Sequence, residues 1–73
     1  MKLNPIRSNM NEVETKNARI LFSYRTPVAA WVGGNAYRTE KRWSVTTSKH
    51  INQWLDGVKA EQRPQAFFDN LTA

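Results

Sequence analysis

Two adjacent glycines and an asparagine, Gly33-Gly34-Asn35, separate the outgoing run "VAAWV" from the return run "AYRT". Glycine takes positive φ without a steric penalty, so the triplet marks a tight reversal and the flanking runs read as an antiparallel hairpin. Val28, Ala30 and Val32 form one stripe of the outgoing strand, with Ala29 and Trp31 on the other; the return strand begins near Ala36 and meets a charged break at "EKR". A further strand runs from about Val13 to Tyr24, where Ala18, Ile20, Phe22 and Tyr24 share one face and Arg19, Leu21 and Ser23 the other. Pro27 cannot donate to a ladder and biases Thr26 toward an extended shape, which places a turn or bulge at Arg25-Thr26-Pro27.

The period changes after "WSV". Ile51, Trp54, Leu55 and Val58 recur at helical spacing, Thr47 or Ser48 is placed to cap the helix, and Gly57 to end it. Beyond the polar link "KAEQR", Pro64 followed by Ala66, Phe67, Phe68 and Leu71 predicts a short helix or docked tail. Residues 1–11, "MKLNPIRSNMN", mix Pro, Ser and Asn with isolated apolar positions and read as a flexible arm. The expected fold is α+β: a three-stranded antiparallel meander covered by one α-helix, with that arm preceding a single small domain over residues 12–73.

A chain of 73 residues buries only about 60–65% of the surface its unfolded state exposes, so a deep catalytic cleft is not expected. With no cysteine there is no disulfide framework and no thiolate metal site, and the chain suits a reducing compartment. The longest apolar run, "PVAAWV", is too short to cross a bilayer, and "MKLNPIRSNMNE" lacks the apolar core of a secretory signal, so a soluble cytosolic protein without membrane contact is expected.

Charge is concentrated. Eleven Lys and Arg oppose six Asp and Glu, and between Arg19 and His50 six cations face the single carboxylate of Glu40. Such a field favours acidic partners, its ordinary alternative being a solubilising surface.

Catalytic readings find little support. His50 is the only imidazole, and no carboxylate stands at ligand spacing around it, so neither a metal nor another cofactor is expected. Thr46, Thr47 and Ser48 are its neighbours in sequence, but adjacent helical residues do not face one another, and no orienting group or oxyanion donor is identifiable. Capping and helix-end packing account for these side chains, and also for the anion-binding capacity that any helix start offers. A binding protein is expected rather than an enzyme.

Two partner classes remain. Arg38, Lys41 and Arg42 beside Tyr37 and Trp43 could set cations on phosphates and rings on bases across a sheet surface. Trp, Tyr and Arg are also the residues that dominate protein interfaces, and a sheet edge or arm can add a strand to a partner. The candidate contact residues are Arg25, Arg38, Arg42 and Trp43, with Tyr37 and Trp31 equally suited to the core.

"LFSYRTPVAAWV" followed by "YRTEKRWSVTTSKHINQWL" resembles a family of small phage and mobile-element proteins. These share S-Y-x-T-P-V-A and then Y-x-T-x-x-x-x-S-x-T-T-S-K-H-I-N-x-W-L, a match covering about residues 21–55. The function of most members is unknown. The length, basic character and opening stretch look most like one kind of member, a phage transcription regulator that binds the host RNA polymerase. That resemblance implies a monomeric, non-catalytic regulator in the cytoplasm of an infected bacterium. It would engage the β′ and β subunits, block σ-dependent initiation and promote antitermination.

Overall fold

A computed structural model describes residues 2–7 and 9–71. Six strands, β1 (Lys2–Arg7), β2 (Met10–Glu14), β3 (Ala18–Ser23), β4 (Thr26–Val32), β5 (Asn35–Thr39) and β6 (Glu61–Arg63), form one sheet in sequential order. Helix α1 (Val45–Leu55) links β5 to a parallel β6, and helix α2 (Gln65–Leu71) follows; the other neighbouring strands are antiparallel. The expected three-stranded meander under one helix is therefore replaced by a six-stranded mixed sheet with two helices. Neither helix is long and apolar enough to cross a membrane.

The largest correction concerns the arm. Residues 2–7 form β1, paired with β2, and Met10 and Asn11 open β2. Pro5 is tolerated because of register. Thr15 N–H donates to Ala18 O at the β2–β3 turn, so by alternation Asn11 and Val13 direct their backbone groups at β3, and Glu12 and Glu14 at β1. Their partners Lys2 and Asn4 then face inward, while Leu3 and Pro5 face outward. The missing N–H of Pro5 falls on the outer edge of the sheet, where no ladder bond is lost.

The β3–β4 reversal is one of two residues, Tyr24 and Arg25, both at positive φ (52° and 69°). Gly33 and Gly34, at 58° and 84°, make the matching turn between β4 and β5. The expected turn or bulge at Arg25-Thr26-Pro27 resolves into both features. The turn precedes Thr26, and the register slips where Leu21 pairs with Ala29 but Phe22 with Pro27. Val28 is the extra residue, and it joins Ala29 on one face of the sheet rather than Ala30 and Val32 on the other.

Each face carries its own core. Met10, Leu21, Val28 and Ala29 pack against Ile51 and Leu55 of α1, while Ile20 and Ala30 pack against Phe68 of α2. Tyr37 belongs to the second cluster, its ring 5.2 Å from that of Phe67. Helix α1 begins earlier than its expected cap: Ser44 accepts the Thr47 N–H at 3.1 Å, which places Thr47 inside the first turn. It ends at Asp56 in the left-handed conformation, followed by Gly57 at φ 80°, as the glycine predicts. Within the polar "KAEQR", the segment Glu61–Arg63 is β6, paired with Tyr37, Arg38 and Thr39.

Phe68 is wholly buried at the centre of the second core. Its truncation to Ala is expected to lower stability by about 3–5 kcal/mol in urea unfolding. Val58, 42% exposed beyond the end of α1, should tolerate Ala within roughly 0.5 kcal/mol. Equal losses at the two positions would contradict a core built under α2.

Candidate interaction surface

The antiparallel register puts the β3–β4 turn, the C-terminal end of β5 and the start of α1 at one end of the sheet. Their junction is a chain of hydroxyls. Ser44 Oγ donates to Thr47 Oγ1 (3.2 Å), which lies 3.1 Å from Ser23 Oγ, itself 2.8 Å from His50 Nδ1. Each hydroxyl can donate one hydrogen bond and accept others, so the chain runs unbroken from the helix cap to the imidazole. Tyr24 stacks on His50 with centroids 5.9 Å apart, a contact that offsets the strain of its positive φ.

The serine–histidine pair invites a catalytic reading, which the burial argues against. Ser23 is only 2% exposed and His50 only 7%, leaving no approach for a substrate carbonyl. No carboxylate is bonded to the imidazole among the described residues. The cluster ties the first turn of α1 to the β3–β4 hairpin. His50 therefore reaches Ser23 across the fold rather than a sequence neighbour such as Thr46 or Ser48.

Outside this tether the same end is basic. Arg25 is exposed on its turn. Arg38, half-buried on the α1 face, donates to Asn52 Oδ1 at 3.2 Å. Lys41 Nζ sits 4.2 Å from the centroid of the Trp43 ring, and the indole N–H donates to Gln65 Oε1 at 3.2 Å. Trp43 keeps 37% of its surface exposed. Arg42 and Trp43 line two adjoining open clefts of about 180 and 220 Å³; Arg38, Lys41 and Gln62 are among the other residues of the first, and Val45 of the second.

The ion pairs among the described residues are Arg19–Glu12 at 3.3 Å and Arg63–Glu61 at 2.8 Å. None involves Arg25, Arg38, Lys41 or Arg42, so these four cations have no bonded carboxylate among the described residues. Glu40 is the one acidic side chain lining the first cleft.

Arg38, Arg42 and Trp43 thus come together, and Arg25 shares their end of the sheet. Tyr37 does not join them. Strand alternation points it to the α2 face, where it packs on Phe67 and carries the Arg63 guanidinium 5.2 Å from its ring. Trp31, opposite Ala36 near the Gly33-Gly34 turn, lies toward the other end of β4. Gln65 carries no sequence signal for a place at this surface. Lys41 does, through its position beside Arg42 in the charged break.

The model of a family of unknown function (DUF8033) matches residues 1–70, and the chain belongs to that family. No curated protein and no solved structure matches it.

Replacing Ser23 by Ala would leave His50 Nδ1 and the Thr47 hydroxyl without their buried partner. A loss of about 1–3 kcal/mol in thermal or urea unfolding is expected. An unchanged midpoint would show that the hydroxyl chain does not hold α1 in place.

Proposed function

We propose that this DUF8033 protein is a non-catalytic, monomeric regulator that docks its basic end onto an acidic surface of bacterial RNA polymerase. The observation that carries the reading is the group of Arg38, Lys41 and Arg42, without ion-pair partners among the described residues, around the partly exposed Trp43, with Arg25 at the same end of the sheet. Unpaired cations accelerate encounter with an acidic surface, and a semi-buried tryptophan beside arginines is the residue set of an interface anchor.

The likeness of the length, basic character and opening stretch "MKLNPIRSNMNE" to a phage transcription regulator suggests the specific partner. It directs the proposal to the β′ and β subunits in the cytoplasm of an infected cell. The consequences would be loss of σ-dependent initiation and passage of elongating polymerase through terminators.

Phosphate contact is the competing use of the same cations. It gains most when open ring faces are available for bases. Here Lys41 lies over Trp43, His50 stacks on Tyr24 and Tyr37 is packed against Phe67, so the aromatic residues present no shared stacking platform. The geometry favours the protein partner.

The test is retention of purified RNA polymerase on the immobilised protein after nuclease treatment, across a salt series. The parent should hold polymerase through both. Lys41→Glu with Arg42→Glu should abolish retention while moving the unfolding midpoint little, because both side chains are exposed. Retention by the doubly reversed protein would refute the basic-end model. Nuclease-sensitive binding that falls steeply with salt would transfer the surface to nucleic acid.

A further inference from the structure

The carboxamide of Gln65 is the most fully bonded polar side chain at the basic end. Its Oε1 accepts from Thr39 Oγ1 at 2.8 Å and from Trp43 Nε1 at 3.2 Å. Its Nε2 donates to the Pro27 carbonyl at 2.6 Å and to Asp69 Oδ1 at 3.1 Å. Two acceptor sites and two donor hydrogens are the whole capacity of a primary amide, and all four are used. The orientation is determined as well, since a flipped amide would set N–H groups against the indole N–H and an amide oxygen against the Pro27 carbonyl.

One side chain therefore joins β4 through Pro27, β5 through Thr39, α2 through Asp69, and the β5–α1 loop through Trp43. Thr39 Oγ1 also accepts the Lys41 backbone N–H at 3.1 Å. The main chain of Lys41 and the side chain of Trp43 are thus both fastened to the Thr39–Gln65 pair. Arg42 stands exposed between two fixed points.

We infer that Gln65 is a positioning residue: from the start of α2 it presets the Lys41–Trp43 tripeptide in the shape that meets the partner. This inference rests on the binding role proposed above for that tripeptide. Presetting reduces the ordering cost at association, so Gln65 contributes to affinity without touching the partner.

Gln65→Met keeps the side-chain length and removes every polar bond. Exchange of the Trp43 indole proton, followed by NMR on the full chain, should quicken roughly tenfold, in keeping with loss of one hydrogen bond. The amides of Ile20 and Ala30 beneath α2 should keep their protection. Affinity for purified RNA polymerase should fall several-fold. In a Trp43→Phe background, which retains a ring but has no indole donor, the further effect of Gln65→Met should shrink, because both changes cut the same link.

An unaltered Trp43 indole exchange rate overturns the inference. Parallel loss of protection at Ile20 and Ala30 also overturns it, since Gln65 would then serve the fold alone. If Gln65→Met unfolds the chain, Trp43→Phe removes only the indole bond to Gln65 and leaves the other contacts of α2 intact, and full polymerase affinity in that variant sinks the positioning role. A parent protein that binds no polymerase defeats the proposed function instead. The indole exchange would still decide whether Gln65 holds Trp43.

Discussion

The β3–β4 pair is buried on both faces, and the rest of the chain is arranged to keep it so. Ile20, Leu21, Val28, Ala29 and Ala30 are all fully excluded from solvent. A pair of strands that is apolar on two sides needs two covers. Helix α1 supplies one through Ile51 and Leu55, and α2 the other through Phe68. The bulge belongs to the same constraint: by turning Val28 toward α1 together with Ala29, it widens that face, and Ala30 and Val32 remain for α2. The two-residue turn at Tyr24 and Arg25 is then held in an uncommon conformation by the His50 stacking and the Ser23 hydroxyl bonds beneath it. So small a domain has little core to spare, and these polar ties at the helix start supplement it.

Much of this arrangement is legible in the sequence wherever side chains carry the period. The alternation of Ala18 to Ser23 sorts between the two helices as read. Tyr24, expected on the Ile20 face, turns instead to His50 of α1, and the strand expected over 13–24 is broken by the reversal between Glu14 and Ala18. Ile51, Trp54 and Leu55 mark the inward stripe of α1, which Val58 does not join. Trp54 even keeps its polar edge satisfied, donating to Glu12 Oε1 at 2.9 Å. What is not legible is structure held by the backbone. The strand β1 has only scattered apolar residues, and β6 is the polar tripeptide "EQR"; both exist because a neighbour offers ladder bonds. The cap at Ser44 is hidden by Val45, whose β-branched side chain reads as strand although it opens the helix. At the surface, Arg38, Arg42 and Trp43 are near one another in the chain and meet in space, while Tyr37, one residue from Arg38, is carried to the opposite face by strand parity. Gln65 reaches the site over 22 residues from Trp43, a distance no local pattern spans.

Covering both sheet faces also decides which surface is left for the proposed contact. The flat surfaces that sheet proteins often use for recognition are occupied around β3 and β4, and the available surface moves to the sheet end where β5 gives way to α1. There the chain presents charge and one indole over open clefts, in place of an enclosed apolar cavity. Such a site suits contact with a large, pre-existing surface better than capture of a small molecule, which calls for extensive enclosure.

Two features steer association away from copies of the same chain. The outer edge of β1 would ordinarily be a template for strand pairing, but at Pro5 it offers a carbonyl without an N–H, and the register breaks between Pro5 and Arg7. A second molecule finds an incomplete ladder there. The basic end disfavours approach of its own copy, because Arg38, Lys41 and Arg42 line one cleft with Glu40 as its acidic lining residue, and Arg25 lies at the same end of the sheet. An acidic, unlike surface is the complement that the proposed binding role requires, and both features are consistent with it.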